Sequence, residues 1–381
     1  MALAALYALR NIGDEAALTA IMNLYTRTGD SKVKKCTLYA LADFESPKVL
    51  PFLIQITVSE VDVEIKKSAI YAIANKDKDA TAFSALKNIL ASNQDREVRK
   101  AALFALGNIN LPEVTTILKD IALKDSDSEL TKAATYAIAN SSSLVAQAAL
   151  KSIFTGAVSK ETKKAALFAL SNLDMKDKAL FMQEVALTSS DVEMAKAATF
   201  ALGNSNDKAA AAALSAILTK SSKIEVKKAA LYAIGNHNTT EVREFLTQTA
   251  LNHNEVELSK AATYALSNAM EDGDLSHLLK ILKEAKDLDV RKAALYQIGN
   301  ASSEEAVAAL VSVLDTETDS ELQKAAVYSL ANTSQEIAVT ALIKIMSSDA
   351  SGEVRKAAVH SLGNMDSEVA RKALLDLIQN Q

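Results

Sequence analysis

One phrase recurs twelve times along the 381-residue chain, as YALRN, YALAD, YAIAN, FALGN, YAIAN, FALSN, FALGN, YAIGN, YALSN, YQIGN, YSLAN and HSLGN. Its anchors, Asn11, Asp43, Asn75, Asn108, Asn140, Asn172, Asn204, Asn236, Asn268, Asn300, Asn332 and Asn364, fall 32 residues apart, with one interval of 33. A fixed period of this size implies a solenoid, because one unit is too small to bury its own apolar face and must stack on its neighbours. A quasi-one-dimensional array sets no upper limit on its core. Residues 1–381 are therefore expected to form a single domain.

Three Pro and ten Gly are too few to punctuate a β protein of this length. With 49 % apolar residues and no Trp, the core must be built from Ala, Leu, Ile and Val. That is a helix-rich composition, and the expected fold is all-α. A net charge of −5 gives no global pull toward nucleic acid, though it says nothing of one face of an array. The single Cys36 excludes a disulfide framework and stands where most other copies carry Ala. No apolar run reaches the ~18 residues that span a bilayer. Sequons at Asn140, Asn238, Asn300 and Asn332 would put sugars on repeated loops of a secreted eukaryotic protein, which favours a bacterial or intracellular setting.

Within residues 204–236, Ala, Leu and Ile recur at helical spacing over Lys208–Leu218, KSSKIE interrupts them, and the period resumes over Val226–Ile234 before Gly235-Asn236. Each unit thus reads as two helices, A and B. Ahead of B stand Asp30, Asp62, Asp95, Asp127, Asp191, Asp287 and Asp319, with an acidic residue two places on in all but the first, where Lys32 follows Asp30. These are expected N-caps. The Gly, Ala or Ser before every anchor but Asn11, which follows Arg10, fits either a helix terminus or a close helix contact. The chain opens on a B half, Ala2–Arg10, and closes on an A half, Glu368–Gln379. Such ends suit a fragment of a longer array, or head-to-tail self-association in which a second copy completes the last unit.

The stretches EVRKAALFALGNIN, EVKKAALYAIGNHN and YALRNIGDEAALTAIMNL resemble HEAT-like repeats of the short phycobilisome-lyase type. The resemblance covers essentially the whole chain. It implies an α-solenoid (superhelix) of about twelve 32-residue helix–turn–helix repeats. It implies little about activity, since the family includes scaffolds, adaptors, lyase subunits and lipid-transfer superhelices. Two departures stand out: Asn-rich turns replace most Gly-Asp turns, and an aromatic occupies a usually polar place in helix B.

On a wheel of helix B, Val226, Ala230, Ala233 and Ile234 share the core arc, while Lys228, Tyr232 and Asn236 follow at i, i+4 and i+8 along another stripe. Stacking turns that stripe into ladders, expected on a concave surface lined by B helices. One ladder is Lys35, Lys67, Lys100, Lys132, Lys164, Lys196, Lys228, Lys260, Lys292, Lys324 and Lys356. Another is Tyr7, Tyr39, Tyr71, Phe104, Tyr136, Phe168, Phe200, Tyr232, Tyr264, Tyr296 and Tyr328, ending in His360. Lys100 to Lys324 and Phe104 to Tyr328 are the candidate binding residues. Two readings of the Lys row stand: a ligand surface, or salt bridges to acids three residues upstream such as Glu97, Glu129 and Glu257. The rings are expected to pack partly against the adjacent turn as well as to face a ligand, and each Asn to bond loop backbone.

A second period overlies the first. Ahead of each ladder Lys stand Arg99, Thr131, Lys163, Ala195, Lys227, Ser259, Arg291, Gln323 and Arg355, alternately basic and uncharged. This implies a 64-residue pair as the larger unit, with a doubled positive charge on every other turn. No catalytic, phosphate-loop or metal motif is present: His237, His253, His277 and His360 are scattered, and no cofactor is expected. The reading is a non-enzymatic scaffold whose concave Lys/aromatic/Asn surface takes an extended acidic protein segment. The alternatives are an anionic polymer such as nucleic acid or acidic polysaccharide, or the superhelical subunit of a lipid-transfer or lyase-type assembly.

Overall fold

The computed structural model describes residues 2–76, 80–92, 95–109, 111–140, 144–205, 208–270, 274–301, 303–333, 336–348 and 350–379. Among these there are 24 helices and no strand. They alternate as B and A halves, from Ala2–Ile12 (B) and Glu15–Arg27 (A) to Gly352–Asn364 (B) and Glu368–Gln379 (A). The fold is an all-α solenoid of 32-residue helix pairs. The chain divides into two compact units, Met1–Lys178 and Ala179–Gln381.

Capping explains where the B helices begin. The carboxylates of Asp30, Asp62, Asp95, Asp191, Asp287 and Asp319 each accept from two backbone N–H groups of the first turn, and Asp127 accepts from one. All seven expected caps are present. Each satisfies donors that a helix start leaves without an internal partner. Ser159 and Ser351 do the same work with hydroxyls. In the 204–236 unit the helices run Lys208–Lys220 and Ile224–Gly235, so the interruption shrinks to Ser221–Lys223. Ile224 and Glu225 belong to the first turn of B.

The two helices of a unit are buried differently. Helix A of this unit hides one stripe, Ala210, Ala213, Leu214 and Ile217, spaced for a single apolar face. Helix B hides Val226, Ala229, Ala230, Leu231, Ala233, Ile234 and Gly235, most of its circumference. It packs on its own A helix and lies between the preceding and following B helices, which leaves one stripe to solvent.

The glycines before the anchors set how closely B helices approach. A Cβ built on Gly107 would fall 2.5 Å from the carbonyl oxygen of Ala137. On Gly203, Gly235 and Gly299 it would fall 2.7 Å, 2.4 Å and 2.7 Å from Ala233, Ala265 and Ser329 of the next B helix. Their role is the close contact, not a left-handed helix end: the positive-φ glycine among the described residues is Gly13, in a turn.

Candidate functional site

The solvent stripe of helix B carries the three residue types that the sequence places there. Lys100, Lys132, Lys196, Lys228, Lys260, Lys292 and Lys324 are half-buried, Lys164 is exposed, and the anchor Asn residues are exposed. Within each unit the stripes of successive repeats form rows.

The Lys row is ion-paired. Lys67, Lys100, Lys132, Lys196, Lys260, Lys292 and Lys324 each reach the carboxylate three residues upstream, at 2.5–3.4 Å. Lys228 instead reaches forward to Glu257 of the next repeat at 2.9 Å, and Lys324 adds Glu353 at 3.1 Å to its own Glu321. Glu257, held between Lys228 and Lys260, has its carboxyl lowered to about 2 by these ammonium groups. The same partners raise Lys67, Lys132, Lys260, Lys292 and Lys324. Because Lys67, Lys132, Lys260, Lys292 and Lys324 each feel both their own acid and that of the next repeat, this part of the row is an alternating ribbon whose charges largely offset one another. Lys164 differs for a local reason: Glu161 accepts from the Ser159 hydroxyl at 3.0 Å instead.

The aromatic row is more exposed than packing on the adjacent turn alone implies. Tyr7, Tyr39, Tyr136, Phe168, Phe200, Tyr296 and Tyr328 are 36–61 % exposed. Tyr71, Phe104, Tyr232 and Tyr264 are half-buried. Burial raises the Tyr71 phenol. Tyr136 and Phe168 meet edge to face, with centroids 6.4 Å apart. Beside the rings, the Asn140 carboxamide donates to that of Asn108 at 3.2 Å, while Asn172 donates to the Phe168 carbonyl of its own helix. The amides therefore bond one another or their own helix here, rather than loop backbone.

The second period marks the joints between repeats. Arg99 bonds Asp125 at 2.7 Å, Lys34 bonds Glu60 at 2.9 Å, Lys227 lies 3.4 Å from Glu255, and Arg291 pairs with Glu317, each acid lying in the turn of the following repeat. Of the uncharged copies, Ala195 has no polar side chain, Thr131 bonds across the joint, and Gln323 and Ser259 bond the turn of their own repeat. Thr131 and Thr162 share a buried 2.6 Å contact, Gln323 donates to the Glu317 carbonyl at 2.8 Å, and Ser259 to that of His253 at 3.4 Å. The doubled positive charge expected on alternate turns is thus neutralised at these joints. At the Lys34 joint, the Tyr25 hydroxyl also donates to Glu60, at 2.9 Å, and the ammonium lies 5.1 Å from the Tyr25 ring.

Two features lie outside the stripe. A cleft of about 470 Å³ opens between helices Lys208–Lys220 and Thr240–Asn252, lined by Leu214, Ile234, His237, Val242 and Phe245. Arg243 is a buried cation that donates to Asn238, Thr240 and the Ala269 carbonyl, closing a helix end. Neither has a periodic signal in the sequence. Among the described residues there is no group of three His, Cys, Asp or Glu placed to hold a metal, and no helix long and apolar enough to cross a membrane.

No curated protein matches the sequence. Human deoxyhypusine hydroxylase in complex with glycerol is similar at 18 % identity over 84 % of this chain and 96 % of that one, with a TM-score of 0.32. Kap121p bound to Ste12p is similar at 15 % identity over 94 % of this chain, with a TM-score of 0.49. The alignment spans 45 % of the Kap121p chain, less than half its length. The family model for HEAT repeats matches residues 1–74, 50–139, 213–299, 275–363 and 307–381. With those matches on helix pairs at a 32-residue period, the chain belongs to the HEAT repeat family.

Proposed function

We propose that the chain is a non-enzymatic scaffold that holds an extended protein segment along its B-helix stripe, with residues 1–381 acting as one array. The observation that carries this reading is the row of rings on the one side of helix B that no neighbouring helix covers, seven of them exposed and four half-buried among the described residues. Large rings with few rotamers give contact area at low entropic cost, and exposed apolar rows of this kind mark interaction surfaces. The Lys row contributes less. An acidic side chain of the segment must compete with carboxylates already in place, so acidity of the partner adds selectivity more than affinity. The same ribbon disfavours an anionic polymer, which draws its affinity from uncompensated cations.

The test is a random peptide library panned against the protein, with a Phe200→Ala, Tyr296→Ala, Tyr328→Ala variant as control. Enriched peptides are expected to bind the parent and to lose about tenfold or more on the variant, given the worth of buried rings, both proteins being compared at a temperature where circular dichroism shows them folded. Peptides indifferent to the three substitutions would overturn the reading. Single-stranded oligonucleotide binding that falls steeply and linearly in log salt would replace it with the polymer alternative.

A further inference from the structure

We propose that the bound segment is anchored by an aromatic side chain with an acidic residue two places from it, the ring docked in the corner between Tyr136 and Phe168 and the carboxylate on Lys164; this rests on the reading of the B-helix stripe given above. Three observations fall on the same stretch of that stripe, helices Ser128–Ala139 and Lys160–Asn172. Tyr136 and Phe168 meet at 6.4 Å with their planes at 85°, and no other pair of ladder rings is in contact among the described residues. Phe168 is 61 % exposed, against 36–42 % for Tyr136, Phe200, Tyr296 and Tyr328. Lys164 is exposed, and of the ladder residues from Lys67 to Lys324 it is the one with no carboxylate within 4.0 Å among the described residues.

The unpaired lysine has a local cause. Where a B helix begins at an Asp cap, as at Asp62, Asp95 and Asp191, the cap carboxylate takes the first-turn N–H groups and the Glu two places on reaches the ladder Lys. Helix Lys160–Asn172 begins at Ser159 instead, whose hydroxyl accepts from the Thr162 N–H at 3.3 Å and donates to Glu161 at 3.0 Å. The Glu161 carboxyl is lowered foremost by its own backbone N–H, then by that hydroxyl, with Lys164 and Lys132 acting on it through space. Lys163, half-buried next to Lys164, makes no ion pair among the described residues either. Along the rest of the ribbon an acid of the segment must displace a carboxylate already in contact, whereas here it meets an ammonium group that has none.

The corner selects the ring and the helix sets the spacing. Two rings at 85° give a third ring one face for offset stacking and one edge for a T-shaped contact, both of them arrangements that aromatic pairs prefer, whereas an aliphatic side chain gains area alone. Lys164 and Phe168 stand one turn apart on the same face of one helix, a rise of about 6 Å. In an extended segment residues i and i+2 share a face about 6.7 Å apart, i+1 and i+3 point the opposite way, and i+4 lies about 13 Å off. An acid two places before or after the aromatic therefore reaches Lys164 while the ring sits in the corner. A nucleic-acid strand also offers a ring and a negative charge, but its phosphates form a continuous run. The cation here shares its stretch of the stripe with Glu129 and Glu161, which repel such a run and leave room for one carboxylate among neutral neighbours.

The experiment pans short random peptides on the full chain after depletion on the Phe168→Ala variant, with both proteins shown to be folded by circular dichroism, so that Phe168-dependent peptides are retained. These are expected to share an aromatic residue with Asp or Glu two places from it, and to lose about threefold in affinity on Lys164→Gln, the worth of one exposed ion pair. On the Lys164→Glu variant, exchanging that acid for Lys in the peptide should restore binding, an outcome that a structural role for Lys164 does not produce. The inference is overturned if no Phe168-dependent peptide is recovered, if the recovered peptides lack the aromatic or carry the acid at the adjacent position or not at all, or if affinity ignores both Lys164 substitutions. An oligothymidylate that depends on Phe168 and Lys164 and falls steeply and linearly in log salt overturns it in favour of nucleic acid. Library peptides that depend on Phe200, Tyr296 and Tyr328 but not on Phe168 and Lys164 remove this anchor and leave the scaffold reading intact. Peptides that ignore all of these rings remove both.

Discussion

The Arg99 guanidinium donates to the Asp125 carboxylate at 2.7 Å, 26 residues along the chain and across the joint between two repeats. Both side chains are largely enclosed, so the pair is partly shielded from water and ties helix B of one repeat to the turn of the next. In a double-mutant cycle of Arg99→Gln and Asp125→Asn, we expect a coupling of about 1–2 kcal/mol by urea unfolding. Additive single effects would show that the joint is held by apolar packing alone.

Glu60 gives the fold a pH dependence of known sign. The Lys34 ammonium foremost, then the Tyr25 hydroxyl and the N–H groups of Val61 and Asp62, hold its carboxyl at about 2 against an ordinary 4.5. A folded value below the unfolded one means that its stabilisation is present above pH 4.5 and is lost as pH falls from there toward 2. Glu60→Gln should lower stability at pH 7 by about 1–3 kcal/mol and flatten the thermal-stability profile in that acidic window. An unchanged profile would remove the assignment.

Gly235→Ala and Gly363→Ala are the same substitution at equivalent positions with opposite expected outcomes. At Gly235 the new methyl meets the Ala265 carbonyl oxygen at 2.4 Å, whereas at Gly363 nothing lies within 4 Å. Overpacking should cost the first variant about 1–3 kcal/mol, while helix propensity should stabilise the second by up to about 1 kcal/mol. Thermal melts of the two proteins side by side decide it; equal shifts would mean that the helix approach adapts.

Lys67→Gln and Lys292→Gln remove single ion pairs of the ribbon, to Glu64 and Asp289. Each should cost only about 0.2–0.5 kcal/mol, the worth of a helix-surface pair. Binding of a ring-dependent peptide should be nearly unchanged. A large loss of binding with stability intact would transfer the recognition role from the rings to the lysines.

The helix pairs, their order and seven B-helix caps are legible in the sequence because each rests on local signals repeated along the chain. Asp62 or Asp191 needs only the turn ahead and the first helical turn behind it. Partners across a joint leave no comparable mark: Asp125 sits in a turn with several acids, and its pairing with Arg99 depends on how one repeat meets the next. Gly235 is ambiguous for the same reason, since a helix end and a close approach leave the same letter. The rings of Phe168 and Tyr232 occupy equivalent places in sequence, yet one is exposed and the other half-buried. Exposure depends on the neighbours that the stacking brings to each ring, and periodicity carries no record of them.

Helix B is enclosed on every side but one, and this divides its residues into two classes with different freedom to change. At Ala229, Ala230 or Gly235 a substitution disturbs the adjoining repeat as well as its own, so these letters are nearly locked together along the array. At Phe168 or Asn236, both exposed, a substitution alters chiefly one step of the surface. A lineage can therefore respell what the protein recognises one repeat at a time, each edit confined to its own rung, without renegotiating the scaffold that displays it.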